Sequence, residues 1–309
     1  MTDGGITILG VFVADTAYRA ERQPRLGETI LGKSFVLGPG GKGSNQSVAA
    51  ARAGGRAAII TRLGKDAFAE LAIKTWADAG VEPLVTHDPD SYTGAAYIFI
   101  EEATGDNAII ISPGAAAKIS TSDVDAHADR IARSSVFITQ LEQPMDAAEH
   151  ALGIARNGGA ITILNPAPAA PVSDAMLALC SYVTPNETEA AEITGQTVET
   201  IDQARQAAEI FMRKGVGAAV ITLGERGALI HGKDISEHVP AFSAGPVVET
   251  TGAGDAFNGG FAVALSEGRH PVEAVRFGCA TAAISVTRPG TAPSMPARGE
   301  IEALLAGTG

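Results

Sequence analysis

Residues 6–13, 57–62, 135–140, 160–165, 182–184, 218–222 and 228–231 form short runs that are apolar along most of their length. Side chains alternate sides along a strand, so a run that stays apolar predicts a strand covered on both faces. Between these runs the period lengthens. Residues 44–53, 68–79, 124–132, 146–156 and 202–214 carry apolar positions three and four apart, and so do 256–266, 272–286 and 300–305. That spacing predicts helices with one buried stripe. Alternating strands and helices imply an α/β fold, with a mostly parallel sheet flanked by helices on both faces.

Two stretches leave this rhythm. Residues 19–35 read as extended and polar, without helix signals. Residues 93–101 and 107–112 form an apparent hairpin across the Gly-containing loop EATGD. Both fit either edge strands or a small separate β-sheet, a lid made of segments at about 14–36 and 93–112. No internal repeat or low-complexity linker interrupts the chain, so residues 1–309 are expected to form one domain.

Composition narrows the function. The 309 residues are 45% hydrophobic and 19% charged, with a formal net charge of −12. An acidic chain argues against a nucleic-acid partner, and an anionic substrate would need a local positive pocket. Cys180 and Cys279 are the two cysteines, too few for a disulfide framework or a metal knuckle. No basic, then apolar, leader opens the chain, and no apolar run reaches the ~18 residues needed to span a bilayer. A cytoplasmic protein with no membrane partner is expected.

Four polar or glycine-rich motifs carry candidate chemistry. GPGGKGSNQ contains GxGxxG through Gly38, Gly40 and Gly43. A dinucleotide fold is the obvious reading, but that fingerprint should end the first strand, and residues 6–13 come before it. Alternatively, its glycines bring backbone close to a ligand while Lys42 and Asn45 offer donors to hydroxyls or developing charge. TPNETE holds Asn186 and Glu189 at the spacing of a helix cap. It also suits a carboxylate holding a hydrated divalent cation. TLGERG reads as a turn between strands, and its glycines could let backbone lie against a nucleotide. TGAGD sets Asp255 at the mouth of a helix behind Gly252, Ala253 and Gly254. Asp255 could be a plain cap. Alternatively, bare N–H groups at a helix N-terminus make an anion hole, and an adjacent carboxylate can take a proton from an attacking hydroxyl. Together these describe phosphoryl transfer to an alcohol.

The chain resembles the PfkB-type carbohydrate kinases of the ribokinase family. The resemblance rests on ILGVFVAD, GETILG, GPGGKGSNQSVAAA, QLEQP, LNPAPA, TPNETEA, ITLGERGA, TGAGDAFNGGF and VTRPGTAPSMP, spread over nearly the whole length. It implies ATP-dependent phosphorylation of a pentose, D-ribose at O5. Asp255 would be the base, and Gly252, Ala253 and Gly254 the anion hole. Asp15, Gly41, Lys42, Asn45 and Glu142 would hold the sugar. Asn186, Thr222, Gly224, Gly227 and Gly254 would line the ATP site, with Cys279 where a histidine is often found beside adenine. Glu189 would act on Mg²⁺ through water. K⁺ would take mostly backbone oxygens from Glu249, Thr251, Ser285, Arg288 and Gly290, and Ser294. The lid would cover the sugar and join two copies in a homodimer. One departure bears on the substrate. Val13 stands where these kinases usually place a sugar-contacting Asn, and Val11 where they place a Ser, which makes 2-deoxyribose or another sugar the alternative. A non-catalytic sensor on the same fold is a further alternative, against which the retained Asp255 speaks.

Overall fold

The computed structural model describes residues 5–307. Its strands are β1 (Ile6–Leu9), β2 (Val13–Ala20), β3 (Ser34–Gly40), β4 (Ala57–Leu63), β5 (Glu82–His87), β6 (Thr93–Glu101), β7 (Asn107–Gly114), β8 (Val136–Thr139), β9 (Ile161–Leu164), β10 (Tyr182–Val183), β11 (Ala218–Thr222), β12 (Ala228–Gly232) and β13 (Ile235–Val239). The helices are α1 (Lys42–Arg52), α2 (Ala67–Ala79), α3 (Thr121–Asp125), α4 (Ala128–Arg133), α5 (Met145–Asn157), α6 (Asp174–Ala178), α7 (Glu187–Thr194), α8 (Ile201–Arg213), α9 (Ala253–Ser266), α10 (Pro271–Ser285) and α11 (Arg298–Ala306).

Nine strands form one sheet in the order β13-β12-β11-β10-β9-β8-β1-β4-β5. The pairs from β11 to β5 are parallel, and β12 and β13 add an antiparallel edge. The strand period divides the interior in two. Ile6, Ile8, Ile59, Ile138 and Val220 point into a core shared with α1, α2, α9, α10 and α11. Leu9, Ile60, Phe137, Ala219 and Ile221 point the other way, toward α3 to α8. Both faces are covered, which is why these strands read as continuously apolar.

A second sheet, β3-β2-β6-β7, stands apart. The run 6–13 is therefore not one strand, as its apolar pattern suggested. β1 stops at Leu9 and β2 starts the second sheet at Val13. The break falls at Gly10, where a side chain would lie 2.7 Å from the Gly43 Cα, so the two backbones touch. The extended segment after Arg19 is strand only at its ends, with a loop between Ala20 and Ser34. The hairpin over EATGD forms as expected, as β6 and β7.

Other differences have local causes. The helix expected over 124–132 is two, α3 and α4, because His127 has non-helical backbone (φ −124°, ψ 18°). β5, β13 and α7 carry too few apolar residues to show a period, and α6, with five residues, is too short for one. β5 includes Pro83, tolerated because the strand lies at the sheet edge. Gly38 and Gly40 belong to β3 of the second sheet and not to the end of a parallel strand, so the dinucleotide fingerprint lacks its structural context. Among the described residues, no helix is long and apolar enough to cross a membrane.

Candidate active site

The carboxyl ends of the parallel strands bring the polar motifs together. Asn165 follows β9, Thr184 follows β10 and Thr222 ends β11, and all three line a pocket of about 150 Å³. Open α/β sheets bind ligands at this end. The start of α9 forms the opposite wall through Gly252, Gly254 and Asp255, while Lys42, Asn186 and Glu189 complete the rim. Seven residues singled out in four separate motifs thus meet in one place.

Asp255 is not a cap. α9 begins at Ala253, and its N-cap is Gly252 in the left-handed region (φ 82°), with no side-chain cap bond. Asp255 lies in the first turn, 6% exposed. Its carboxylate accepts from Asn45 Nδ2 through Oδ2 and from Gln46 Nε2 through Oδ1, both at 3.0 Å. Burial pushes its pKa up, against the pull of the Lys42 ammonium and of the two amides.

The expected anion hole needs one correction. The Ala253 N–H donates to the Thr250 carbonyl at 3.1 Å, because the left-handed turn at Gly252 folds that carbonyl over it. Ala253 is therefore not a free donor. The N–H groups of Gly252, Gly254 and Asp255 have no protein acceptor among the described residues. At Gly254 an added Cβ would meet nothing within 4 Å, so that side of the turn opens into the pocket.

α1 delivers Lys42 from the other side. Its N-cap, Gly41, has φ 87°, and a side chain there would lie 2.6 Å from the Val11 carbonyl. With no cap of its own, α1 receives a carboxylate from elsewhere. The Lys42 N–H donates to Glu142 Oε2 at 2.8 Å. Burial alone would lower the Lys42 ammonium, but Asp255, Glu142 and Glu189 outweigh it and hold its pKa up. Glu142 is pushed to about 7, by burial first, with Lys42 opposing. Lys42, expected among the sugar contacts, lies on the pocket that Asn186, Glu189 and Thr222 also line.

The cap reading of TPNETE holds. Asn186 and Glu189 form a reciprocal cap on α7, Glu189 N–H to Asn186 Oδ1 at 2.8 Å and Asn186 N–H to Glu189 Oε2 at 2.9 Å. They also line the pocket, which leaves Asn186 Nδ2 and Glu189 Oε1 for a ligand. Burial raises the Glu189 pKa. Gly224 (φ 55°) and Gly227 (φ 93°) bracket a 3-10 turn between β11 and β12, as the turn reading of TLGERG expected.

Other expected site residues sit further out. Asp15 is on β2, beneath Gly40, and burial together with nearby Glu249 pushes its pKa to about 6. Val13 and Val11 are buried in the second core, 5% and 2% exposed. Cys279 is packed in α10 in the first core and does not line the pocket; burial pushes its thiol to about 12, against Arg276. Two segments that include Glu249, Thr251, Ser285, Arg288, Gly290 and Ser294 run together. The Gly290 N–H donates to the Glu249 carboxylate at 2.8 Å, and Val248 N–H to the Val286 carbonyl at 2.7 Å. The Thr291 hydroxyl donates to the Pro39 carbonyl of β3 at 2.8 Å, which ties this region to the second sheet.

The sequence reading missed the buried amides in and behind the pocket wall, Asn165 and Asn258 on it and Gln46 and Gln140 behind it. Their signal was faint: single amides in apolar or small-residue runs, inside motifs already quoted for other residues.

A mostly parallel α/β sheet, a separate small sheet, and a carboxylate at a helix mouth beside open amides and a lysine together define a carbohydrate kinase. The chain belongs to the pfkB family of carbohydrate kinases, whose signature extends over residues 6–298. It is 38% identical over 296 residues to the ribokinase of Haemophilus influenzae, covering 96% of each chain. It is 36% identical over 293 residues to a deoxyribokinase of Salmonella typhimurium, covering 94% of this chain and 95% of the relative. The structure of Arabidopsis thaliana ribokinase complexed with ribose and ATP superimposes with a TM-score of 0.90 at 30% identity, over 97% of this chain and 98% of that one. The chain is an ATP-dependent sugar kinase.

Proposed function

We propose that the protein phosphorylates D-ribose at O5 with ATP, giving D-ribose 5-phosphate and ADP. The carrying observation is the buried Asp255 carboxylate, held by two amides within a pocket that also presents Lys42 and the open turn at Gly254. Asp255 takes the O5 proton as O5 attacks the γ-phosphorus, and the bond to the β–γ bridging oxygen breaks as ADP leaves. The Gly254 and Asp255 N–H groups, at the positive end of α9, face the charge on the phosphoryl oxygens, and Lys42 adds a full positive charge. Asn45 holds Asp255 through Nδ2, and its Oδ1 is buried without a partner among the described residues, placed to accept a hydrogen bond from a sugar hydroxyl. Asp15, Gly41 and Glu142 complete the sugar side. Asn186, Thr222, Gly224 and Gly227 form the nucleotide side, and Cys279 lies behind it.

Glu189 Oε1 fits a hydrated Mg²⁺ carried with the ATP phosphates, which would neutralise their charge. The carbonyls of Glu249, Thr251, Ser285, Arg288 and Gly290 and the Ser294 hydroxyl are hard oxygen donors suited to K⁺ beside the α9 turn. The small sheet would close over the sugar and pair two copies in a homodimer, and a cytoplasmic site of action suits this chemistry.

A second reading keeps the chemistry and changes the sugar to 2-deoxyribose. Val13 and Val11 favour it, since an apolar wall does not discriminate against a missing hydroxyl. The similarity to a deoxyribokinase at 36% identity points the same way. A coupled assay of ADP release across a pentose panel, with and without K⁺, decides between them. D-ribose should give the highest kcat/KM, and K⁺ should raise it. Asp255→Asn should cut kcat by roughly 10²–10⁴-fold. If it does not, Asp255 is not the base; if 2-deoxyribose is preferred, the second reading stands.

A further inference from the structure

Along the pocket wall runs an unbroken chain of buried hydrogen bonds. Gln140 Nε2 donates to Gln46 Oε1 at 2.7 Å. Gln46 Nε2 forks, donating to Asp255 Oδ1 and to Asn165 Oδ1, each at 3.0 Å. Asn165 Nδ2 donates to the Thr184 carbonyl at 3.0 Å. The Thr184 hydroxyl donates to Asn258 Oδ1 at 2.7 Å, and Asn258 Nδ2 donates to the Gly254 carbonyl at 2.8 Å. The chain begins beside the Asp255 carboxylate and ends on the Gly254–Asp255 peptide. That peptide's N–H is one of the open donors at the α9 mouth.

The direction of every link follows from its neighbours. Gln46 can give both protons to acceptors only because Gln140 fills its carbonyl oxygen. Asn165 can accept from Gln46 only because its own amide protons are directed at Thr184. Flipping Gln46 or Asn165 would set a buried donor against a donor, and flipping Gln140 or Asn258 would set a buried acceptor against an acceptor. Gln46, Gln140 and Asn258 are each at most 1% exposed and Asn165 is 6% exposed, so water has little access to these amides even though Asn165, Thr184 and Asn258 line the pocket.

We propose that Gln46 is a positioning residue for phosphoryl transfer. Through the Asn165–Thr184–Asn258 chain, it sets the Asp255 carboxylate and the Gly254–Asp255 peptide in one fixed relation. The base and the anion-hole donor then keep their spacing whether or not ligands are bound. The two N–H donors on the carboxylate also favour its charged form, because a protonated oxygen would face a donor. Gln46 thus keeps the base ready in a site whose burial disfavours charge.

This inference rests on Asp255 being the base, so the test separates the two. Gln46→Met keeps length and loses both donated bonds. It should lower kcat about 10- to 100-fold, the size expected for losing a hydrogen bond to a charged group. The acidic limb of the kcat–pH profile should move up by about one pH unit, and the KM for sugar should change less than about 3-fold. Thr184→Val removes only the hydroxyl link to Asn258 and keeps the shape. It should lower kcat several-fold without moving the acidic limb, because the carboxylate keeps both donors. Thr184→Ser restores the hydroxyl and should recover kcat. Circular dichroism and the thermal midpoint report folding for each variant. If Gln46→Met does not fold, the Thr184 pair carries the test, and equal kcat for Thr184→Val and Thr184→Ser overturns the proposal. If Gln46→Met folds with an unmoved acidic limb while Asp255→Asn is inactive, the positioning role is wrong and the base assignment stands. If Asp255→Asn stays active, both fall.

Discussion

At the residue scale, one motif holds glycines that do opposite jobs. In TGAGDAFNGGF, Gly252 supplies a left-handed turn and Gly254 faces open space. Gly259 instead lets α9 lie against α1, where an added Cβ would come 2.7 Å from the Ala50 nitrogen. The sequence shows four glycines and cannot sort them, because the sorting depends on what lies opposite. Two substitutions separate the roles. Gly254→Ala should keep or raise the thermal midpoint, since Ala is the better helix former by up to about 1 kcal/mol, yet lose kcat by an order of magnitude or more as the methyl enters the pocket. Gly259→Ala should cost about 1–3 kcal/mol in chemical denaturation from overpacking while each folded molecule keeps near-normal kcat. Equal losses of activity in the two variants would contradict this division.

At the element scale, α1 depends on a distant acid. Its glycine N-cap provides no side-chain acceptor, and Glu142, in the loop between β8 and α5, takes the Lys42 N–H. The acid was expected from the family resemblance, but its capping contact joins residues 100 positions apart and leaves no trace in spacing. The burial of this acid has a pH signature, which the contact opposes. Glu142 rises from its ordinary 4.5 to about 7 in the folded chain, so between those values the folded state binds more protons than the unfolded one. Its contribution to stability is full below about pH 4.5 and is lost as pH rises through 7. Asp15, raised from 3.8 to about 6, acts in the same direction. Glu142→Gln keeps an acceptor for the Lys42 N–H and removes the titration. Its thermal midpoint should match the parent's at about pH 5 and exceed it at pH 8. A parent that gains on the variant as pH rises would reverse the sign and refute the assignment.

At the scale of the whole molecule, the small sheet leaves much apolar surface uncovered. Phe35, Val36 and Leu37 on β3 are 44–61% exposed, and Ile109, Ile110 and Ile111 on β7 are 52–68% exposed. Successive residues point to opposite faces, so both faces are apolar. A sheet closing over a sugar covers one face with the cleft and leaves the other for a second copy, which also protects the two edge strands. Sedimentation velocity should show a dimer, and Ile110→Lys should shift it toward monomer with little change in secondary structure. A parent that sediments as a monomer at tens of micromolar would remove the proposed homodimer.

What the sequence determined by itself was local. Apolar period marked the central strands and most long helices, and the glycine motifs marked the ends of those elements, because burial and backbone freedom act over a few residues. Tertiary structure alone decided that residues 6–13 split between two sheets, that the Ala253 amide is occupied, and which buried amides face Asp255. Those outcomes turn on atoms brought within 3 Å from positions as far apart as 46 and 255, and no spacing along the chain encodes such a meeting.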